Sequence, residues 1–417
     1  MKDFSLKEPK NPSKGEGINI LDELLREGAR KMLQTAIENE VSDFIVINQR
    51  HKSVDGNSLV FRNGYAPERE ILSGIGPIKI KRPRVDDRKL RKIKNQTGFS
   101  SAILPPFLRR VPSIDNLLPI LYLKGISTGD FPTALRAILG PNVKNISANT
   151  IVRLKESWEE EYRKWSKRDL SDKKYVYFWV DGIYLNVRLE KERPCLLVII
   201  AADEEGNKEL LSVSDGMSES KISWKDSLLD LKKRGLRDGP SLAIGDGALG
   251  FWSAVTEVFP YTKHQRCWVH KTANVLDKLP KSLRSQAKNN IHNMYLAEGK
   301  KDALKEFDKF IELYQDKYPK ATKCLEKDKI RMFAFYDFPA IHWTHIRTTN
   351  PIESTFATIR LRTYKTRGCG NRKTVFAMVF KLALESQKRW KKLKGHNLIY
   401  SVLNGEIYKD GVLDKTA

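Results

Sequence analysis

From Tyr175 to Gly216 the chain gives up helical spacing for long apolar, β-prone runs, and this stretch confines the fold to one built on a buried sheet. YVYFWVD, IYLNVRLE, and PCLLVIIAAD with its continuation KELLSVSDG read as three successive strands, the first two separated at Gly182 and the second pair at KERP. WKDSLLDLKKRGL follows as an amphipathic helix, PSLAIGDG as a buried strand, ALGFWSAVTEVF as a helix and YTKHQRC as a short strand. Residues 268–344 then hold several helices with almost no strand signal, an all-α insertion before a last helix at Asn350. Aromatics in that insertion, among them Trp268, Phe307, Phe310, Phe333 and Tyr336, read mostly as core.

Three antiparallel strands followed by helix, strand, helix and strand is the order of an RNase H-like α/β core. In such a sheet strands one and four are neighbours, which brings Asp181 and Asp246 to one edge. Each aspartate is expected at the end of its strand and beside glycine, where the backbone turns sharply and a ligand can approach. Asp-Gly is also an ordinary turn pair, so neither residue alone identifies a site. A carboxylate past a buried strand nevertheless needs a compensating partner, such as a cation.

Glu353 lies in RTTNPIES, where Asn350 reads as an N-cap, Pro351 as the first helical residue and Glu353 as a capping-box glutamate. Arg360 follows two turns later on the same face, and Arg347, Arg362, Lys365 and Arg367 extend a basic surface suited to a phosphodiester. Two aspartates and a glutamate are hard oxygen ligands suited to Mg²⁺. Cys267 and His270 stand in a C-x-x-H spacing, and His342 and His345 form another pair, so a tetrahedral zinc site is conceivable. The favoured reading instead puts His270 near the acidic residues, contacting DNA or ordering a carboxylate, and counts Cys267 and Asn350 among the DNA contacts as well.

The amino-terminal half carries a different pattern. Residues 1–17 read as a disordered basic tail, followed by an amphipathic helix over 18–45 that is a candidate dimer contact. Asn63-Gly64 predicts a tight turn in a small hairpin. Nine basic residues between Lys79 and Lys94, including Lys81, Arg82 and Arg84, face only Asp86 and Asp87. Three helical patterns follow, the first ending at Gly125, the second capped by Thr128 and the third by Ser147. They suggest a helix-turn-helix unit in which Asn145, Ser147, Asn149, Thr150 and Arg153 reach bases or phosphates. The expected division is 18–100 for DNA binding and dimerisation, 101–168 for the helix-turn-helix, 169–267 with 345–400 for the catalytic core, and 401–417 for a tail.

Charge narrows the partner. Lys and Arg number 75 against 51 Asp and Glu, a net +24 that favours a polyanion through counterion release. Cys195, Cys267, Cys324 and Cys369 show no disulfide-framework spacing, which fits a reducing compartment. No window approaches a membrane span and the first residues lack an apolar signal region, so the expectation is a soluble, cytoplasmic protein.

FWVDGIYLNVR, AIGDGALGFWSAV, HQRCWVHKTANVLDKLP and HWTHIRTTNPIESTFATIRLRTYKTRGCG resemble segments of the bacterial mutator-type insertion-sequence transposases. The resemblance spans roughly residues 18 to 400 and is strongest from 175 onward. It implies a DDE site of Asp181, Asp246 and Glu353 holding two Mg²⁺ or Mn²⁺ ions, and a helical insertion before the glutamate. It also implies terminal inverted repeats and target DNA as partners, cleavage followed by 3′-hydroxyl attack on the target, and a nucleoid-associated homodimer. A domesticated DNA-binding regulator without catalysis, or a nuclease that cuts without joining, are the other readings.

Overall fold

The computed structural model describes residues 20–53, 55–94, 98–123, 126, 130–140, 143, 148–187, 193–216, 218–247, 249–365 and 371–415. Ser147, Arg367, the caps expected at Thr128 and Ser147, the stop at Gly125, Asn145 and the 1–17 tail therefore lie outside the described residues. The chain forms two compact units, residues 1–150 and 151–417.

The first unit opens with α1 (Ile20–Asn48), which buries Ile37 and Val41. Ile37 meets Ile71, Ile78, Ile80 and Leu104, with Ala29 and Leu33 packed at the margin. Leu21, Leu24, Leu25 and Met32 remain exposed. Four strands follow: β1 (Phe61–Tyr65), β2 (Arg69–Ser73), β3 (Gly76–Ile80) and β4 (Pro83–Asp86). The tight turn falls between β2 and β3, where Ser73 pairs with Gly76, whose φ is 101°. Asn63-Gly64 instead sits within β1, at a register shift between Arg62 and Tyr65 in its pairing with β4. Gly64 has φ 63°, so the same left-handed freedom that makes Asn-Gly a turn signal serves a bulge here.

α2 (Arg88–Lys94), α3 (Pro112–Leu123) and α4 (Phe131–Leu139) complete this unit. The basic run is partly neutralised by its own aspartates and by Glu68. Arg88 pairs with Asp86 at 2.6 Å, Arg91 with the buried Asp87 at 2.9 Å, and Lys79 with Glu68 at 4.0 Å. Lys81 and Arg84 stay exposed and Arg82 is half-buried.

The second unit begins in α5 (Ala148–Trp165) and is built on β5 (Tyr175–Tyr184), β6 (Cys195–Asp203), β7 (Lys208–Gly216), β8 (Leu242–Gly245) and β9 (Lys263–Arg266). The sheet order is β7-β6-β5-β8-β9. β6 is antiparallel to β5 and β7, whereas β8 is parallel to both β5 and β9. The strands divide differently from the sequence expectation. β5 continues through Gly182 to Tyr184, and the third expected strand folds at Asp203–Asn207 into the β6–β7 hairpin. That turn is held by the Asp203 side chain, which accepts bonds from the Glu205 and Asn207 amides.

α6 (Lys221–Lys233) and α7 (Leu249–Val258) supply Trp224, Leu228, Leu231, Phe251, Trp252 and Val255 to the main core beneath the sheet. Each such fully buried side chain is worth about 1.5–3 kcal/mol of transfer free energy. The later part of α5 belongs to this packing: Tyr162 donates to the Val213 carbonyl at 2.8 Å, and Trp165 lies 4.8 Å from the Phe380 ring.

The helical region contains α8 (Trp268–Leu276), α9 (Arg284–Leu296), α10 (Lys300–Tyr314), α11 (Pro319–Glu326), α12 (Lys329–Met332) and α13 (Trp343–Ile346). Trp268, Phe307, Phe310, Phe333, Phe335 and Tyr336 are buried there, as core aromatics. α14 (Asn350–Lys365) returns to pack on β5 and β6, and α15 (Arg372–Gln387) packs on β7. Residues after 400 are more than a tail: Gly411 donates to the Tyr336 carbonyl at 3.1 Å, and Asp410 accepts from the Lys300 amide at 2.6 Å.

Candidate active site

Parallel pairing of β5 with β8 places Val180 opposite Gly245, so the next residue of each, Asp181 and Asp246, emerges at the same level. Asp181 lies inside β5, three residues before its end, whereas Asp246 follows the last residue of β8. A third carboxylate joins them. One ligand oxygen from each of Asp181, Glu219 and Asp246 lies within 4.8 Å of the others. Asp181 is only 9% exposed. Its hydrogen bond among the described residues comes from the Gly182 amide, at 2.8 Å.

Burial, then the charges of Asp246 and Glu219, push the Asp181 carboxyl up to about 7 from its ordinary 3.8. Burial, then Asp246, likewise holds Glu219 at about 7 instead of 4.5. Three crowded carboxylates with only oxygen donors form a set suited to a hard divalent cation, which relieves the repulsion that otherwise retains protons.

The C-x-x-H segment is docked against this edge by the bond from the Cys267 amide to the Gly245 carbonyl, 2.8 Å long. Cys267, His270 and Glu353 form a second group, again within 4.8 Å of one another. The two groups meet electrostatically at His270. A hydrogen bond with Cys267, then the charges of Cys267, Asp246 and Glu353, raise this imidazole to about 9 despite its burial, so it is protonated at neutral pH. Burial raises the Cys267 thiol, but hydrogen bonds from His270 and Thr349 outweigh it and leave the thiol below its ordinary value.

Several expected roles change. The Glu353 amide bonds the Thr349 carbonyl, and the Thr349 hydroxyl donates to the Glu353 carboxylate at 2.8 Å. Thr349 is therefore the capping partner, while Asn350 is already helical and exposed. Cys267 is fully buried, accepting from the Thr349 amide at 3.3 Å, and is no direct DNA contact. Arg362 is 2% exposed because it continues the inward face of Thr355 and Ile359, so it belongs to no surface stripe. The Arg347 guanidinium donates to the Trp343 and Tyr295 carbonyls and stacks over the Tyr295 and Phe335 rings, which makes it a clasp within the helical region.

The zinc arrangement does not assemble either. His342 bonds Tyr177 Oη at 2.8 Å through Nδ1 and the Gly395 carbonyl at 2.9 Å through Nε2, while His345 accepts from the Lys394 amide at 3.3 Å. Both ring nitrogens of His342 are thus occupied away from Cys267 and His270.

Arg360 is exposed on α14 and Arg153 on α5. Asn149 and Thr150 lie in the first turn of α5 and Lys365 at the end of α14, with their side chains outside the described set.

Sequence reasoning passed over Glu219 and Arg266. Glu219 directly precedes Ser220, the N-cap of α6, whose side chain accepts from the Ser223 amide. That Ser220 signal was readable; where the preceding carboxylate points was not. Arg266, 6% exposed, lies under the Asp246 turn, with Nη1 3.9 Å from Asp246 and Nε 3.5 Å from Asp328. Gly247, with φ 102°, leaves the space the guanidinium fills, since a Cβ there would lie 1.7 Å from Nη1. Asp328 also holds Lys271 at 2.5 Å, tying the helical region to the aspartate turn.

A family model described as transposase, Mutator family, matches residues 7–393. The chain is 48% identical over 300 residues to the transposase for insertion sequence element IS6120 of Mycolicibacterium smegmatis, covering 72% of this chain and 92% of that protein. It is 46% identical over 286 residues to the transposase for insertion sequence element IST2 of Acidithiobacillus ferrooxidans, covering 67% and 94%. It is 26% identical over 369 residues to the transposase for insertion sequence element ISRM5 of Rhizobium meliloti, covering 88% of each.

Proposed function

Because the chain belongs to the Mutator family of transposases, we propose that its carboxylate-lined edge is a DDE active centre in an RNase H-like core. The protein is an insertion-sequence DNA transposase. The observation that carries the finer reading is the placement of Asp181 and Asp246 at one level on adjacent parallel strands. The sheet order, with three antiparallel strands extended by two parallel ones, supports the fold assignment.

In this reading Asp181 and Asp246 would hold the cations, and Glu353, grouped with Cys267 and 3.7 Å from His270 Nδ1, would be the third acidic residue of the centre. Mg²⁺ or Mn²⁺, two per centre, would supply Lewis-acid activation of the attacking oxygen and charge neutralisation at the leaving one. The protein's own contribution is positional and electrostatic. Thr349 fixes the Glu353 carboxylate, Arg266 supports the Asp246 turn, and protonated His270 presents a positive donor to a phosphate oxygen. Water first displaces a 3′-oxygen at the element end. The freed 3′-hydroxyl then attacks a target phosphodiester, forming one P–O bond as another breaks, so no protein nucleophile is needed.

Exposed Lys81, Arg84, Arg153 and Arg360 are candidate DNA contacts, and α3 and α4 within the first unit are candidates for reading the terminal repeats. Incubating the protein with end DNA, target DNA and Mg²⁺ is expected to yield joined products. Cleaved ends without any joined strand would reduce the assignment to a nuclease.

Holding two element ends calls for a homodimer, and the exposed apolar residues of α1 suit its contact. Light scattering on the end-DNA complex is expected to give two chains; a single chain per complex refutes this. No helix among the described residues is long and apolar enough to cross a membrane, and we place the protein with DNA in the prokaryotic cytoplasm.

A further inference from the structure

Glu219 is none of the three acidic positions assigned above, yet it is the residue that shares one cluster with both aspartates. We infer that Glu219 is a fourth carboxylate of the catalytic centre, a direct ligand to a divalent cation held with Asp181 and Asp246. This inference rests on the cation reading given above.

Its side chain is seated by absences on two separate elements. A Cβ at Gly182 would lie 2.6 Å from the Glu219 Cγ, Cδ and Oε1, so glycine within β5 is what admits the carboxylate. A Cβ at Gly250 would lie 2.4 Å from the Glu219 carbonyl oxygen and 2.6 Å from the Lys221 amide nitrogen, so a second glycine lets α7 approach the chain that carries it. Ser220 caps α6 immediately afterwards, accepting from the Ser223 amide at 3.2 Å, which fixes the backbone on the other side. The two glycines and the cap define where the carboxylate stands.

A structural role supplies no reason for that position. Among the described residues no lysine or arginine forms an ion pair with Glu219 or with Asp181. Asp181 itself is more than nine-tenths buried, and its carboxylate accepts one hydrogen bond, from the adjacent Gly182 amide. A carboxylate so deeply buried, compensated by the Gly182 amide and the charge of His270 alone while two further acids stand within ligand distance, is a set of oxygen ligands suited to a divalent cation. Glu219 also faces the edge from the α6 side, whereas the aspartates rise from β5 and β8. It therefore closes the set from a third direction, as a multidentate oxygen site requires.

The test measures Mn²⁺ binding to the full chain without DNA, by electron paramagnetic resonance, for the wild type, Glu219→Gln and Asp181→Asn. Glu219→Gln is expected to weaken Mn²⁺ binding by about tenfold or more, while circular dichroism stays unchanged. If Glu219→Gln binds Mn²⁺ like the wild type and Asp181→Asn does not, the Glu219 assignment is wrong and the cation site stands. If neither variant alters binding, or the wild type binds no Mn²⁺, the cation reading fails and takes this inference with it. Should Glu219→Gln not fold, Glu219→Asp retains the charge but withdraws the carboxylate by one methylene. Weaker Mn²⁺ binding by that variant supports the assignment, and unchanged affinity overturns it.

Discussion

Asp181→Asn is expected to lower both end cleavage and strand joining by about 10²–10³-fold, the scale seen when a preorganised charge-stabilising group is removed from an active site. The substitution is nearly isosteric and sits in a strand paired on both sides, so the sheet survives it. What disappears is the most buried carboxylate of the cluster, and with it the attraction that would hold the proposed divalent cation beside β5 and β8. Gel assays with pre-cleaved end DNA separate the steps, because joining then no longer depends on prior cleavage. Wild-type joining by a folded Asp181→Asn protein sinks the proposed site.

The second large effect concerns stability in the absence of metal. The folded-state carboxyls of Asp181 and Glu219 are raised to about 7 from 3.8 and 4.5. A carboxyl raised in this way contributes stability fully below its unfolded value and loses it as pH climbs through the folded one. Between about pH 4 and pH 7 the metal-free wild type should therefore lose ground against Asp181→Asn, by about 2–4 kcal/mol as an order of magnitude. Comparing the two proteins at each pH cancels the carboxylates they share elsewhere. Adding Mg²⁺ or Mn²⁺ at pH 7.5 should recover most of the wild-type loss while doing little for the variant. Thermal melts across this range provide the measurement, and a wild-type-to-variant difference independent of pH contradicts the described electrostatics.

Much of this protein was legible along the chain because the signals are local. Apolar runs marked the strands, and the approach of Asp181 to Asp246 followed from strand order. Aromatic spacing located the core of the helical region, and the motifs around the carboxylates carried the family resemblance. Where a local signal has two uses, sequence reading chose the commoner one. Asn63-Gly64 reads as a turn and forms a bulge, because left-handed backbone suits both. Gly182 reads as a strand break, yet β5 stays paired with β6 through it, and its missing Cβ leaves the space that Glu219 fills. Asn350 reads as the cap, whereas Thr349, one residue earlier, makes the bond to Glu353.

By itself the sequence determined the strand-rich core, the helical region, the acidic candidates and the basic bias toward a polyanion, since each depends on residue type and spacing. Only the tertiary structure decided which side chains share the site. Glu219 enters because two glycines on other elements leave it space, Arg362 leaves the surface because α14 turns that face inward, and Arg347 is drawn away by carbonyls of the helical region. The physical reason is the same in each case. A charged side chain goes where the packing of distant elements leaves volume and compensation for it, and neither is a property of its neighbours in the chain.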